Sequence, residues 1–399
     1  MQTAANQTPT RGSLLYDPKF RGAVYQVALI AIIAFVFYEA ASNAVENLRR
    51  ARIASGFGFL ENTAGFDINQ ALINFSAAGS TYGDAFIVGL LNTLLVAAIG
   101  IVFATILGFT IGVARLSRNW IVAKVAMVYV EIVRNIPLLL QLLFWYHAVL
   151  APLPQPRNSI QMGAGFFLNA RGLYLPKLIF ESSAWYVLGA MVIGGVAAFL
   201  FRRWAKEQQQ RTGRQYPIGL MTLALIIGLP VITWIVLSAA GAHPATVDVP
   251  IKGTFNLTGG LQVFPEFVAL LLGLVIYTAA FIAEVVRAGI LAVSRGQTEA
   301  ASALGLTPGQ TLRLVVIPQA MRVIIPPLTS QYLNLTKNSS LAVAIGYPDL
   351  VQVFMGTVLN QTGQAIEVVV ITMAVYLTIS LVTSFIMNIY NRRVAIVER

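Results

Sequence analysis

Residues 294–318 read SRGQTEAASALGLTPGQTLRLVVIP, a polar interruption between two long apolar segments. Ser294 with Gln297, and Thr307 with Gln310, match the S/T-x-x-E/Q capping-box pattern. Gly305 stands where a helix C′ residue belongs. Two short helices meeting at Gly305 are therefore predicted, with Pro308 at the first position of the second and Pro318 as its stop. Ala300, Ala301, Ser302 and Ala303 make the first helix thin, so that its backbone can approach another surface closely. A rigid polar elbow of this kind cannot lie in hydrocarbon and belongs at a membrane surface. It reads as a docking piece.

Outward from the elbow, the composition is that of a membrane protein. The chain is 57% hydrophobic and only 11% charged, against about a quarter charged in soluble domains. Its apolar runs exceed the roughly 18 to 20 residues of a spanning helix and lack the alternation of a barrel strand. The fold class expected is an all-α polytopic membrane protein with about eight transmembrane helices. There is no cysteine, and His147 and His243 are far apart, so disulfides, thiolate sites and a histidine metal cluster are not expected. The net charge of +11 is read as the positive-inside bias of membrane loops rather than as a nucleic-acid footprint.

In chain order, residues 1–22 form a polar N-terminal segment, and 23–41 a retained span rather than a cleaved signal. Residues 42–84 form an outer loop, and 85–150 hold further spans, the second starting beyond Pro137 after an interfacial segment. Residues 151–264 contain Pro- and Gly-bearing loops and two more spans, near 184–201 and 218–239. The last spans lie in 265–390, on either side of the elbow, before a tail at 391–399. Putting both termini and the elbow in the cytoplasm leaves Arg115, Arg118, the run RRWAKEQQQRTGRQ (202–215), Arg313 and Arg322 inside. The outside segments carry Arg49, Arg50, Arg52, Arg157, Arg171, Lys177 and Lys252, of which the Arg49 to Arg52 cluster is a minor violation. The 202–215 run reads as a solvated loop in reach of anionic lipid and is assigned no site.

Glu299-Ala300-Ala301, Gly305 four residues on, and Val315-x-Ile317-Pro318 resemble the EAA loop of ABC importer permeases, with Val315 and Ile317 as conservative departures. The stretches YVEIVRNIPLLLQLLFWY (129–146), AAFIAEVVRAGI (279–290) and LTKNSSLAVAIGYPDL (335–350) resemble the polar amino-acid branch of that family. The resemblance implies a five-helix type I importer core with extra helices, similar to larger permeases for general L-amino-acid uptake. It implies that Glu299, Ala300, Ala301, Gly305 and Pro318 form the coupling site. It also implies a bacterial cytoplasmic (inner) membrane location, a cytoplasmic ABC ATPase dimer, a second permease subunit and an extracytoplasmic amino-acid-binding protein. No G-x-x-x-x-G-K-[ST] phosphate loop occurs, and GLTPGQT (305–311) lacks its lysine. ATP and Mg are accordingly expected on the partner, and neither catalysis nor a cofactor on this chain.

Polar residues at membrane depth mark the candidate pathway. Lys337, Asn338, Ser339 and Ser340, with Asn334 a turn earlier, suit either a cavity lining for a zwitterionic substrate or a snorkelling lysine beside helix-joining polar groups. Gln141 is a further pathway candidate, as is Tyr277, which is equally a core aromatic. Glu131 with Arg134, and Glu284 with Arg287, share the pattern E-[IV]-V-R and are expected to pair within their helices. Phe144, Trp145 and Tyr146 read as an interfacial aromatic belt. The rival readings are an ion-coupled secondary transporter, a membrane-embedded enzyme, and a scaffold that only holds an ATPase.

Overall fold

The computed structural model describes residues 18–50, 56–163, 165–253 and 256–394. Arg11, Arg52 and Arg399, with most of the N-terminal segment and the end of the tail, lie outside the described residues. Seven helices among the described residues are long and apolar enough to cross a membrane, or eight if one bent pair counts as a single span. The helices are α1 (Pro18–Arg50), α2 (Tyr82–Ala114), α3 (Trp120–Asn135), α4 (Leu138–Leu143), α5 (Ala184–Thr212), α6 (Ile218–Leu223) and α7 (Leu229–Ala239). They continue with α8 (Pro265–Leu291), α9 (Arg295–Ala303), α10 (Pro308–Thr311), α11 (Ile317–Asn338), α12 (Leu359–Thr362) and α13 (Ala365–Val394).

The chain divides into two compact units, Met1–Leu91 with Leu350–Ile379, and Asn92–Asp349 with Ser380–Arg399. In the first, Phe59, Tyr82, Ala85, Val353 and Phe354 form a buried core. Here the stretch expected as an outer loop is partly helical, because α1 runs on to Arg50 and Phe57–Glu61 makes a 3-10 turn. The N–H of Thr81 donates to the Asp84 carboxylate at 2.8 Å and the N–H of Asp84 to the Thr81 hydroxyl at 3.2 Å, which fixes the start of α2. Glu367 accepts the N–H of Gly56 at 2.6 Å, and the Tyr82 hydroxyl donates to Gln361 at 3.0 Å.

The second unit is built around α8. In lipid, apolar side chains gain little by leaving the hydrocarbon for one another, so helices associate by close packing through small residues. Gly108 on α2 sits where a Cβ would come within 2.6 Å of Ile282, and Gly112 where it would come within 2.8 Å of Val286. Val130 of α3 meets Ala280 and Ala283, Leu142 of α4 covers Gly273, and Ile324 of α11 covers Gly289. Four helices thus reach the α8 backbone through its own glycines and alanines or through theirs. Between α3 and α4 the chain turns by 104° at Ile136 and Pro137. Proline lacks a donor and forces its predecessor out of the helical region, and Ile136 is extended at φ −100 and ψ 127.

Residues 151–182, expected as loop, contain strands instead. β1 (Ile160–Gln161), β2 (Phe167–Asn169), β3 (Gly172–Leu175) and β8 (Leu261–Val263) form an antiparallel sheet in that order. β4 (Lys177–Phe180) pairs with β5 (Ala245–Asp248), with Lys177 opposite Asp248, and β6 (Ile251–Lys252) with β7 (Leu257–Thr258). This pairing places both ends of the α5–α7 hairpin at the sheet. Its turn at 213–217 therefore lies at the opposite end of the unit. Because β8 leads into α8 at the sheet end, α9 emerges at the same end as that turn.

Candidate coupling site and membrane pathway

Ser294 has the extended backbone of an N-cap (φ −62, ψ 144), but its side chain makes no capping bond. The expected first capping box is absent because Gln297 is engaged elsewhere, accepting from Gln319 Nε2 of α11 at 3.3 Å. α9 ends in a Schellman motif: the N–H of Gly305 reaches Ser302 O at 2.9 Å and that of Leu306 reaches Ala301 O at 3.1 Å. Gly305 carries the left-handed φ of +79 that this closure requires. At Thr307 the capping box is complete, with the Thr307 N–H donating to Gln310 Oε1 at 2.9 Å.

Beyond it the elbow departs from expectation. The second short helix does not stop at Pro318. α10 passes through a π turn, Leu312–Val316, directly into α11, with Pro318 in the first turn of that helix. A π turn widens the ladder just where proline offers no N–H and crowds the carbonyl four residues back. The second arm of the elbow is thus the root of a membrane helix. On α9 only Ala301 is buried, while Glu299, Ala300, Ser302 and Ala303 are exposed and Leu304 projects with 83% of its surface free.

About two turns before α8 ends, Glu284 receives three arginines from three helices. Arg287 Nη2 lies 2.5 Å from it, Arg115 at the end of α2 bonds the other carboxylate oxygen, and Arg134 of α3 stands at 4.0 Å. The pair Glu284–Arg287 forms. The pair Glu131–Arg134 does not: Arg134 turns to Glu284 and lies 5.0 Å over the Phe281 ring, leaving exposed Glu131 without an ion pair among the described residues. The Phe281 ring face gives the Arg134 guanidinium a cation–π contact on the α8 side that solvated Glu131 does not offer.

The pathway candidates separate. Asn334 and Lys337 lie on one exposed face of α11, which also carries Ser330, a residue the sequence reading missed. Its signal was the i, i+4, i+7 spacing of Ser330, Asn334 and Lys337 along one helix face. Asn338 is half-buried. Ser339 is fully buried and donates to Thr336 O at 2.7 Å, and Ser340 donates to Lys337 O at 2.7 Å, so both hydroxyls serve the helix end. Gln141 is buried with its amide nitrogen on Val133 O (2.9 Å) and Ile136 O (3.0 Å). It bridges the carbonyls of Val133 and Ile136 at the Pro137 break. Tyr277 meets Phe281 in a tilted pair, with ring centres 4.9 Å apart, and packs against the core. In the expected aromatic belt, Tyr146 bonds Glu266 at 2.9 Å, while Phe144 stays exposed. Other polar ties within the unit also escaped the sequence reading, such as the Thr105 and Tyr332 hydroxyls at 2.9 Å and Asn92 Nδ2 on Pro348 O at 2.9 Å.

A central helix is thus tied at one end by an arginine-clamped glutamate and followed by an exposed elbow whose second arm roots the next span. Residues 100–396 match the family described as binding-protein-dependent transport system inner membrane component, and the chain belongs to that family. It is 53% identical, over 99% of both chains, to a general L-amino acid transport system permease protein of Rhizobium johnstonii. It is 52% identical to a putative amino-acid ABC transporter permease protein of Escherichia coli, over 98% of this chain and 99% of that one. A glutamate/glutamine/aspartate/asparagine transport system permease protein of Rhodobacter capsulatus is 43% identical, over 97% and 96%. A crystal structure of an amino acid ABC transporter with histidines aligns at TM-score 0.46 and 22% identity, over 78% of this chain and 95% of that one. Membership of this family favours an ABC importer permease over the ion-coupled transporter.

Proposed function

We propose that this chain is the membrane permease of an ATP-driven importer of polar L-amino acids, in a bacterial cytoplasmic membrane with both termini and α9 in the cytoplasm. The observation that carries the reading is the elbow: a thin, exposed, Schellman-closed helix, α9, followed by α10, which runs on into the spanning helix α11. The exposed face of Glu299, Ala300, Ala303 and Leu304 fits a groove on a cytoplasmic ATPase dimer, and ATP with Mg is held and hydrolysed there. When the ATPases close, α9 is displaced, and the displacement passes through α10 into α11 as a rigid-body movement. The Glu284 clamp keeps the ends of α2, α3 and α8 together as that end moves. Substrate delivered by an extracytoplasmic binding protein would then pass the face of α11 that bears Ser330, Asn334 and Lys337. A second, related permease subunit completes the pathway. The names of the long relatives support amino acids as the substrate class.

The test is Gly305→Val in the reconstituted complex. A β-branched side chain at φ +79 opposes the closure of α9 by about 1 to 2 kcal/mol or more. No neighbour lies within 4 Å of the added Cβ, so the rest of the fold is untouched. The expected result is an inserted permease with ATP-dependent amino-acid uptake lost. Wild-type uptake and wild-type ATPase binding would refute the coupling assignment.

A further inference from the structure

The inserted hairpin carries a cleft that the transport reading does not use. α5 and the α6–α7 helix meet through a stripe of small residues, Ala190, Gly194 and Ala198, with Gly194 pressed against the carbonyl of Leu225 in the π turn Ala224–Gly228. Beside this contact, toward the 213–217 turn, the two helices bound a cleft of about 460 Å³. Its walls are apolar, from Ile218, Gly219, Leu223 and Ile227, and its rim carries Arg202 and Lys206, one turn apart on α5. Arg202 follows directly on the apolar run of α5, so the rim lies where hydrocarbon gives way to headgroups. The one carboxylate on this basic run, Glu207, pairs with Arg203 at 3.6 Å. Neither Arg202 nor Lys206 has an ion pair among the described residues. Two uncompensated cations above an apolar slot, at the depth of the lipid phosphates, match an anion that carries a hydrocarbon chain.

We propose that this cleft binds an anionic phospholipid, its phosphate between Arg202 and Lys206 and an acyl chain along Ile218, Leu223 and Ile227. A zwitterionic lipid offers the same chain with a phosphate already neutralised, and a free phosphate offers no chain for the apolar walls.

The experiment is native mass spectrometry of the intact transporter complex in detergent, titrated with phosphatidylglycerol or phosphatidylcholine. Phosphatidylglycerol is expected to be retained selectively. Arg202→Gln with Lys206→Gln is expected to weaken its binding about twenty-fivefold, from about fivefold per basic side chain. Arg203→Gln, outside the cleft, is expected to leave binding unchanged. Gly219→Phe keeps both charges but fills the slot, since no atom lies within 4 Å of its Cβ position, and it must weaken phosphatidylglycerol as well. Equal retention of the two lipids, or phosphatidylglycerol binding undiminished in Gly219→Phe, would overturn the proposal. So would displacement of the lipid by millimolar inorganic phosphate.

Discussion

α8 and the α5–α7 hairpin are both apolar enough to span a membrane, yet they are built for different neighbours. Half (50%) of the most apolar stretch of α8 is buried, against 22% for α5 and 0% for the α6–α7 helix. The difference lies in the small residues and not in hydrophobicity. α8 offers Gly273, Ala280, Ala283 and Gly289 to helices on several sides, whereas α5 offers one stripe and α6–α7 leaves its long side chains outward. Hydropathy therefore tells that a helix crosses, and glycine and alanine placement tells whether it is core.

The sharpest way to break that contrast is a matched pair of glycine substitutions. Gly108→Leu would drive a Cβ to 2.6 Å from Ile282, an overpacking that costs about 1 to 3 kcal/mol or more. Gly195→Leu meets nothing within 4 Å. Thermal unfolding followed by fluorescence-detected size exclusion is expected to show a large loss for the first and none for the second. Equal losses would mean that α8 has no special status.

A smaller effect is expected from charge. Glu284→Gln leaves Arg115, Arg134 and Arg287 facing one another without their shared negative charge and is expected to cost about 2 kcal/mol. Glu207→Gln on the hairpin breaks a pair whose side chains are 73% and 54% exposed and should stay within about 0.5 kcal/mol. Unfolding midpoints of the two variants, measured in one detergent, give the comparison. Next comes Gln141→Leu, which frees the Val133 and Ile136 carbonyls at the bend and is expected to destabilise by about 1 to 2 kcal/mol. An unchanged midpoint would return Gln141 to the pathway. The smallest effect is that of Thr307→Ala, about 1 kcal/mol from loss of the cap, read as faster hydrogen exchange in 308–311 with the global midpoint unmoved.

The elbow was legible in the sequence because its signals are local. Gly305 at C′, Thr307 with Gln310 and Pro308 each act within one helical turn, and each is found where the pattern put it. Pro318 was misread for the same reason, since a stop signal can be absorbed by a π turn that leaves no mark in the residue pattern. Glu131 and Arg134 have the right spacing, but their partner was decided by Glu284 on another helix. The sheet was missed because β3 pairs with β8 across some ninety residues, and strands of two to four residues carry too little alternation to be seen. Gln141 looked like a pathway group because nothing in the sequence shows which backbone carbonyls a proline leaves free. Lys337 and Asn334 were legible as polar residues at membrane depth; that they share a face with Ser330, while Ser339 turns inward, follows from the course of α11.

The most direct test of the account places a probe on the elbow. The chain contains no cysteine, so Leu304→Cys gives a single thiol at an exposed residue that caps the end of α9, and Lys177→Cys gives a control at the sheet end. In membranes holding the whole transporter, a short thiol-reactive cross-linker is expected to join position 304 to the ATPase subunit, with a yield that changes when ATP is bound, and to leave position 177 unjoined to it. A freely reactive position 304 that never cross-links to the ATPase, with uptake intact, would contradict the assignment of α9 as the point where force enters.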